Sequence, residues 1–77
     1  MIDGPITQDT EYVEDSTGEI FTVLSGTEDD GKHTTTVLKV LGTELPAVVY
    51  YSTSDASKTI VVSEAAFRQD FSPSATP

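Results

Sequence analysis

Ala47-Val48-Val49-Tyr50-Tyr51-Ser52, Ser54-Asp55-Ala56-Ser57-Lys58 and Thr59-Ile60-Val61-Val62 decide the fold of this chain. The first run is the most apolar in the sequence, and the third is again β-branched. Both are too short for a helix, and their residue types favour the pleated, half-buried surface of a sheet. The small polar cluster between them has turn chemistry, so the three together predict a hairpin. Tyr50 and Tyr51 are neighbours on a strand and must face opposite ways. One fills the core, and the other is left at the surface.

The pattern changes after Val62. Ser63 is a good helix N-cap, and Glu64 at the first helical position suits the macrodipole. Val62 and Phe67 stand where a hydrophobic staple would place them, and Phe67 and Phe71 are four apart on one helical face. A helix of two turns over residues 64–71, with its phenylalanines turned to the core, is predicted.

Upstream, residues 42–46 read as a turn, with Pro46 at the start of the apolar strand, where no ladder donor is required. Residues 33–41 and 19–25 read as strands. The Asp30-Gly31 pair between them predicts that they form a hairpin. Asp15-Ser16-Thr17-Gly18 is a further turn, and Glu11-Tyr12-Val13-Glu14 a short polar edge strand. The expected fold is mainly β, a small SH3-like antiparallel barrel of about five strands with a short C-terminal helix. Closing the sheet would remove exposed edges. Residues 1–10 are expected as a flexible or edge arm with Ile2 and Ile6 as its anchors, residues 11–72 as the single domain, and residues 73–77 as a disordered tail. Seventy-seven residues leave no room for a second core.

Tyr12, the stretch Thr17-Gly18-Glu19-Ile20-Phe21-Thr22-Val23-Leu24, Val48-Val49-Tyr50 and residues 60–71 follow one another in an order that resembles a group of small bacterial and phage proteins with an SH3-like barrel. The resemblance implies a fold and a phage-type source rather than an activity. The chain departs from the group at Ser63, where an Arg is common, and over residues 28–41, which have no counterpart in it.

Charge is segregated. Thirteen acidic and four basic side chains give a net charge of −9. Asp3, Asp9, Glu11, Glu14, Asp15, Glu19, Glu28, Asp29 and Asp30 fall in the first 31 residues without a Lys or Arg among them, whereas the remainder is balanced. Such a field repels nucleic acid and anionic membrane and attracts basic surfaces. Four cations cannot supply the phosphate contacts on which nucleic-acid affinity rests. On an extended strand, Asp9, Glu11 and Asp15 would share a face about 6.6–6.8 Å apart per two residues, a spacing able to imitate part of a DNA backbone.

Chemistry of other kinds finds little support. There is no cysteine for a disulfide, a thiolate ligand or a nucleophile. Glu28-Asp29-Asp30-Gly31 is not a calcium loop, because Val37 stands where an EF-hand needs its glutamate. His33 is the sole histidine and has no recognisable catalytic or ligating context. No catalytic residue, metal or cofactor is expected, and an enzyme is the least favoured class. Nothing at the N-terminus has the form of a secretory signal, and no run approaches the ~20 residues of a membrane span. A cytoplasmic location follows as an expectation.

The functional expectation is an acidic, phage-type inhibitor that occupies a basic surface of a bacterial protein, such as a nucleic-acid enzyme, by mimicking DNA. Its contact residues would be Glu11, Tyr12, Glu14, Asp15, Glu19, Glu28, Asp29 and Asp30. The alternative is a structural or adaptor module that binds a peptide, or itself, through an apolar face.

Overall fold

A computed structural model describes residues 1–26 and 36–74. The strands are β1 (Glu11–Glu14), β2 (Ile20–Ser25), β3 (Thr36–Val40), β4 (Thr43–Ser52), β5 (Asp55–Ser63) and β6 (Phe71–Pro73), with helix α1 (Glu64–Asp70) between β5 and β6. All pairings are antiparallel: β1 with β2 and β6, and β4 with β2, β3 and β5.

The three partners of β4 explain the architecture. Ala47 pairs with Thr36 on one side and Ser63 on the other, while residues 49–52 are flanked by β2 and β5. A strand has two edges, so β2 and β3 share one edge of β4 and run end to end along it. The hydroxyls of Ser25 and Thr36 meet at that junction, 3.1 Å apart. The hairpin expected between residues 19–25 and 33–41 is therefore not formed. The two strands are successive pieces of one interrupted line, and Asp30-Gly31 lies outside the described residues. The turn expected over residues 42–46 shrinks to Leu41-Gly42, and Pro46 falls inside β4 opposite Val37. The ladder to β5 stops at Ala47, so that edge needs no donor at Pro46.

With β2 and β3 taken as one line, the order across the sheet is β5, β4, β2/β3, β1, β6. The fold is mainly β with a short C-terminal helix, as the sequence predicts, but with six strands where about five are expected. The sheet is not closed, because among the described residues β5 and β6 do not pair. α1 instead carries the chain from one free edge to the other. Its start is built as read: Ser63 Oγ accepts the Ala66 N–H at 3.2 Å, and Val62 packs against the core that contains Phe67. Its end comes one residue early. The Phe71 N–H donates to the Phe67 carbonyl while Phe71 is already extended and begins β6, a strand the sequence does not announce.

Five of the six aromatic side chains fill the space between sheet and helix. Phe67 and Phe71 stack with centroids 4.2 Å apart and planes 9° from parallel. Tyr12, Phe21 and Tyr50 surround them at 5.2–5.5 Å, mostly edge to face, the arrangement that opposes ring edges to ring faces. Val23 and Val48 complete the sheet side.

The first ten residues run along the surface as an arm fixed to this core by Ile2 and Ile6, the two anchors named from the sequence. Ile2 and Ile6 are buried within it. The Ile2 N–H donates to the Arg68 carbonyl at 3.0 Å, and the Arg68 guanidinium returns bonds to the carbonyls of Ile2 and Gly4. The Asp9 N–H donates to the Val23 carbonyl, and the Val23 N–H to that of Thr10. Gly26 is obligatory at the crossing, since a Cβ there would run into the Ile6 carbonyl. At the other terminus Pro73 is paired in β6 and the Ser74 N–H donates to the Glu11 carbonyl, so these two residues of the expected tail are ordered; residues 75–77 lie outside the described residues.

Candidate functional site

Strand β1 divides the acidic residues between two faces. Tyr12 turns inward, so Glu11 and Val13 face outward and Glu14 shares the parity of Tyr12. The row Asp9–Glu11–Asp15 does not exist. It would need extended backbone throughout, but Asp9 has φ +62° and Asp15 lies in the turn after β1. Tyr12 cannot anchor a partner, being 4% exposed. Its hydroxyl accepts the Thr7 N–H at 3.2 Å and its ring packs edge-on against Phe67.

Glu14 and Asp15 are tied into the β1–β2 turn and its surroundings. Glu14 accepts from Thr17 Oγ1 at 2.7 Å, and Thr17 Oγ1 accepts the Glu19 N–H. The Gly18 N–H closes the turn on the Glu14 carbonyl, with φ +75° at Gly18. Asp15 accepts from Ser72 Oγ at 2.7 Å. Glu11 and Glu19, by contrast, come together on a shallow, open groove completed by Ile20, Thr53 and Ser54. Among the eight residues expected at the site, these two share a surface feature. Glu28, Asp29 and Asp30 lie outside the described residues.

Among the described residues two ionisable groups are displaced from their ordinary values. Burial raises the Tyr50 hydroxyl, and the nearby negative charges of Glu14 and Asp70 push it further in the same direction. Asp55 is lowered by the side-chain and backbone hydrogen bonds it accepts from Ser57. Both shifts have local structural causes, and neither marks an acid or base aimed at a cavity. Among the described residues no three His, Asp or Glu side chains gather to hold a metal ion, and no helix is long and apolar enough to cross a membrane.

The same outer face carries a feature that sequence reasoning missed, for Glu11 pairs with Thr22 and Thr22 with Tyr51. Tyr50 is the core member of the tyrosine pair, and Tyr51 is the half-buried outward one. Pairing sets Tyr51 beside Thr22 and Thr59, and Val49 beside Val61, on the same outer face. Leu24 and Val61 are exposed there, Ile60 is exposed on the inner side of β5 opposite Tyr50, and Val37, Val40, Leu41 and Leu45 are exposed on the β3–β4 hairpin beyond. The signal was Leu41-Gly42 itself. A fully exposed leucine at φ +51° in a two-residue turn is a choice that turn chemistry alone would not make.

Comparison with protein-family models, with curated proteins and with solved structures gives no match for the chain.

Proposed function

We propose that this chain is a non-catalytic protein-binding domain that receives a basic surface of its partner, with Glu11 and Glu19 at the centre of the contact. The observation that carries the reading is the groove they share. Its wall is the Ile20 side chain with Thr53 and Ser54, and its two charges are carboxylates. A lysine or arginine has the matching form, an apolar stem and a charged head. Asp3, Asp9, Glu14 and Asp15 extend the negative field around β1, and no Lys or Arg in the first 31 residues opposes it. The partner is then a basic bacterial protein, with nucleic-acid enzymes the obvious class, and the domain an inhibitor of it. Phage origin and a bacterial cytoplasmic setting belong to the same proposal through the resemblance described above.

An amide-resolved NMR titration with deca-arginine tests this. Shifts should concentrate at Glu11, Glu19, Ile20, Thr53 and Ser54 and fade with added salt. Replacing Glu11→Gln and Glu19→Gln together should weaken binding about 2- to 30-fold, the range for losing two exposed charge pairs. Shifts spread evenly over the acidic residues, or affinity unchanged in the double variant, would remove the groove from the site.

A second reading, a structural or adaptor module, is favoured by the exposed Leu24 and Val61 on the outer face that carries Tyr51. On that reading the carboxylates serve solubility, and Tyr51→Ala rather than charge removal abolishes binding.

A further inference from the structure

The two edges of the open sheet are protected very differently. β6 is three residues long and ends in Pro73, two of the devices that stop an edge from recruiting another strand. β5 is nine residues long, has no proline, and among the described residues pairs with β4 alone. Its first part is irregular. Ser52 pairs with Asp55 and Tyr51 with Thr59, so Ala56, Ser57 and Lys58 bulge out of the ladder. Residues 59–63 then pair one for one with residues 47–51, leaving a regular edge of five residues that no described strand covers, with Ile60 41% and Val61 45% exposed.

We propose that this edge pairs with the same edge of a second copy, antiparallel, about a two-fold axis at Val61. The axis must stand perpendicular to the sheet, because edge pairing by rotation keeps like faces together. Only residues of the same face can then oppose each other. Centring on Val61 uses the whole regular stretch: Val61 meets its own copy, Ile60 meets Val62, and Thr59 meets Ser63. No other centre matches apolar to apolar at every inner position, and one at Lys58 would oppose two ammonium groups. Charge also selects a second copy over an unrelated acidic or basic strand. Residues 59–63 carry none, β5 as a whole has Asp55 against Lys58, and the −9 resides chiefly in the first 31 residues. Val49 lies beside Val61 on the outer face, so pairing extends that apolar strip across the axis. This interface is independent of the Glu11–Glu19 groove.

The chain has no cysteine, so a single introduced thiol reports unambiguously. Residues opposed in an antiparallel pair have Cα atoms about 4.5–5.5 Å apart, inside the range a disulfide spans. Val61→Cys should oxidise to a covalent dimer rapidly, and Thr43→Cys, exposed on the β3–β4 hairpin, should not. By sedimentation equilibrium the unmodified chain should dimerise reversibly at high micromolar to millimolar concentration. Val61→Lys, which sets like charges opposite each other at an already exposed position, should weaken the dimer about 2- to 5-fold, with circular dichroism confirming the fold. Glu11→Gln with Glu19→Gln should leave the crosslink unchanged, so failure here and failure of the groove are told apart. A monomer at millimolar concentration, equal crosslinking from Thr43→Cys, or amide protection at residues 59–63 that appears only on adding a foreign strand peptide would each overturn the proposal.

Discussion

The guanidinium of Arg68 holds two distant parts of the chain together. Its Nε meets Glu64 at 2.8 Å within the helix, and one terminal nitrogen donates to the carbonyls of Ile2 and Gly4 at 3.2 and 2.6 Å. The planar fork fixes all three directions at once, which an ammonium on a flexible stem does not. Arg68→Ala should therefore cost about 1.5–3 kcal/mol by urea unfolding, the range for hydrogen bonds to a charged group, and Arg68→Lys should recover little of it. Tyr50 makes a different prediction. Its hydroxyl ionises above the ordinary value in the folded chain, through burial first and then the charges of Glu14 and Asp70. The unfolded chain gives up that proton near pH 10. Stability linked to the neutral phenol is thus complete below about pH 10 and lost as pH rises through the folded value. An unfolding series from neutral to strongly alkaline pH should show this fall, and Tyr50→Phe should flatten it. An identical alkaline fall in Tyr50→Phe would assign the loss to other groups.

Among elements, the β3–β4 hairpin sacrifices local preference most visibly. Leu41 and Gly42 have φ of +51° and +81°, as a type I′ turn requires at both central positions. Glycine adopts this freely, whereas leucine pays a steric penalty and here gains no burial in return. Leu41→Asn should raise stability by about 0.5–1 kcal/mol, read as a higher urea midpoint with unchanged slope. The hairpin also shows why some elements were legible in sequence and others were not. α1 was readable because Ser63, Val62 and Phe67 act within one turn of each other, and local signals survive folding. The strand–turn–strand from Ala47 to Val62 was readable for the same reason. Asp30-Gly31 marks a change of direction but cannot say which strand the chain joins next. That is decided by the ten residues of β4, long enough to serve β2 and β3 in succession. β6 is three residues whose pairing exists only because α1 delivers them to β1. At the candidate site, residue type found Glu11 and Glu19, but only the turn geometry separated them from Glu14 and Asp15, and only burial removed Tyr12.

At the scale of the whole molecule, one charge distribution governs three equilibria with different signs. A net charge of −9 on 77 residues strains the compact state through self-repulsion. Sodium chloride up to the physiological range shortens the screening length to about 8 Å, so the urea midpoint should rise with salt. The same screening removes the attraction between the Glu11–Glu19 groove and a basic partner, so affinity for deca-arginine should fall, chiefly through slower association. Pairing at the β5 edge brings two like-charged bodies together through a strand that is itself neutral. Salt should therefore strengthen the dimer, opposite to its effect on the basic ligand. Measuring all three across one salt series separates the two surfaces without any substitution. If ligand binding strengthened with salt, apolar contact rather than the carboxylates would be holding the basic partner. If dimerisation weakened, charged contacts rather than the apolar ladder would be its main support.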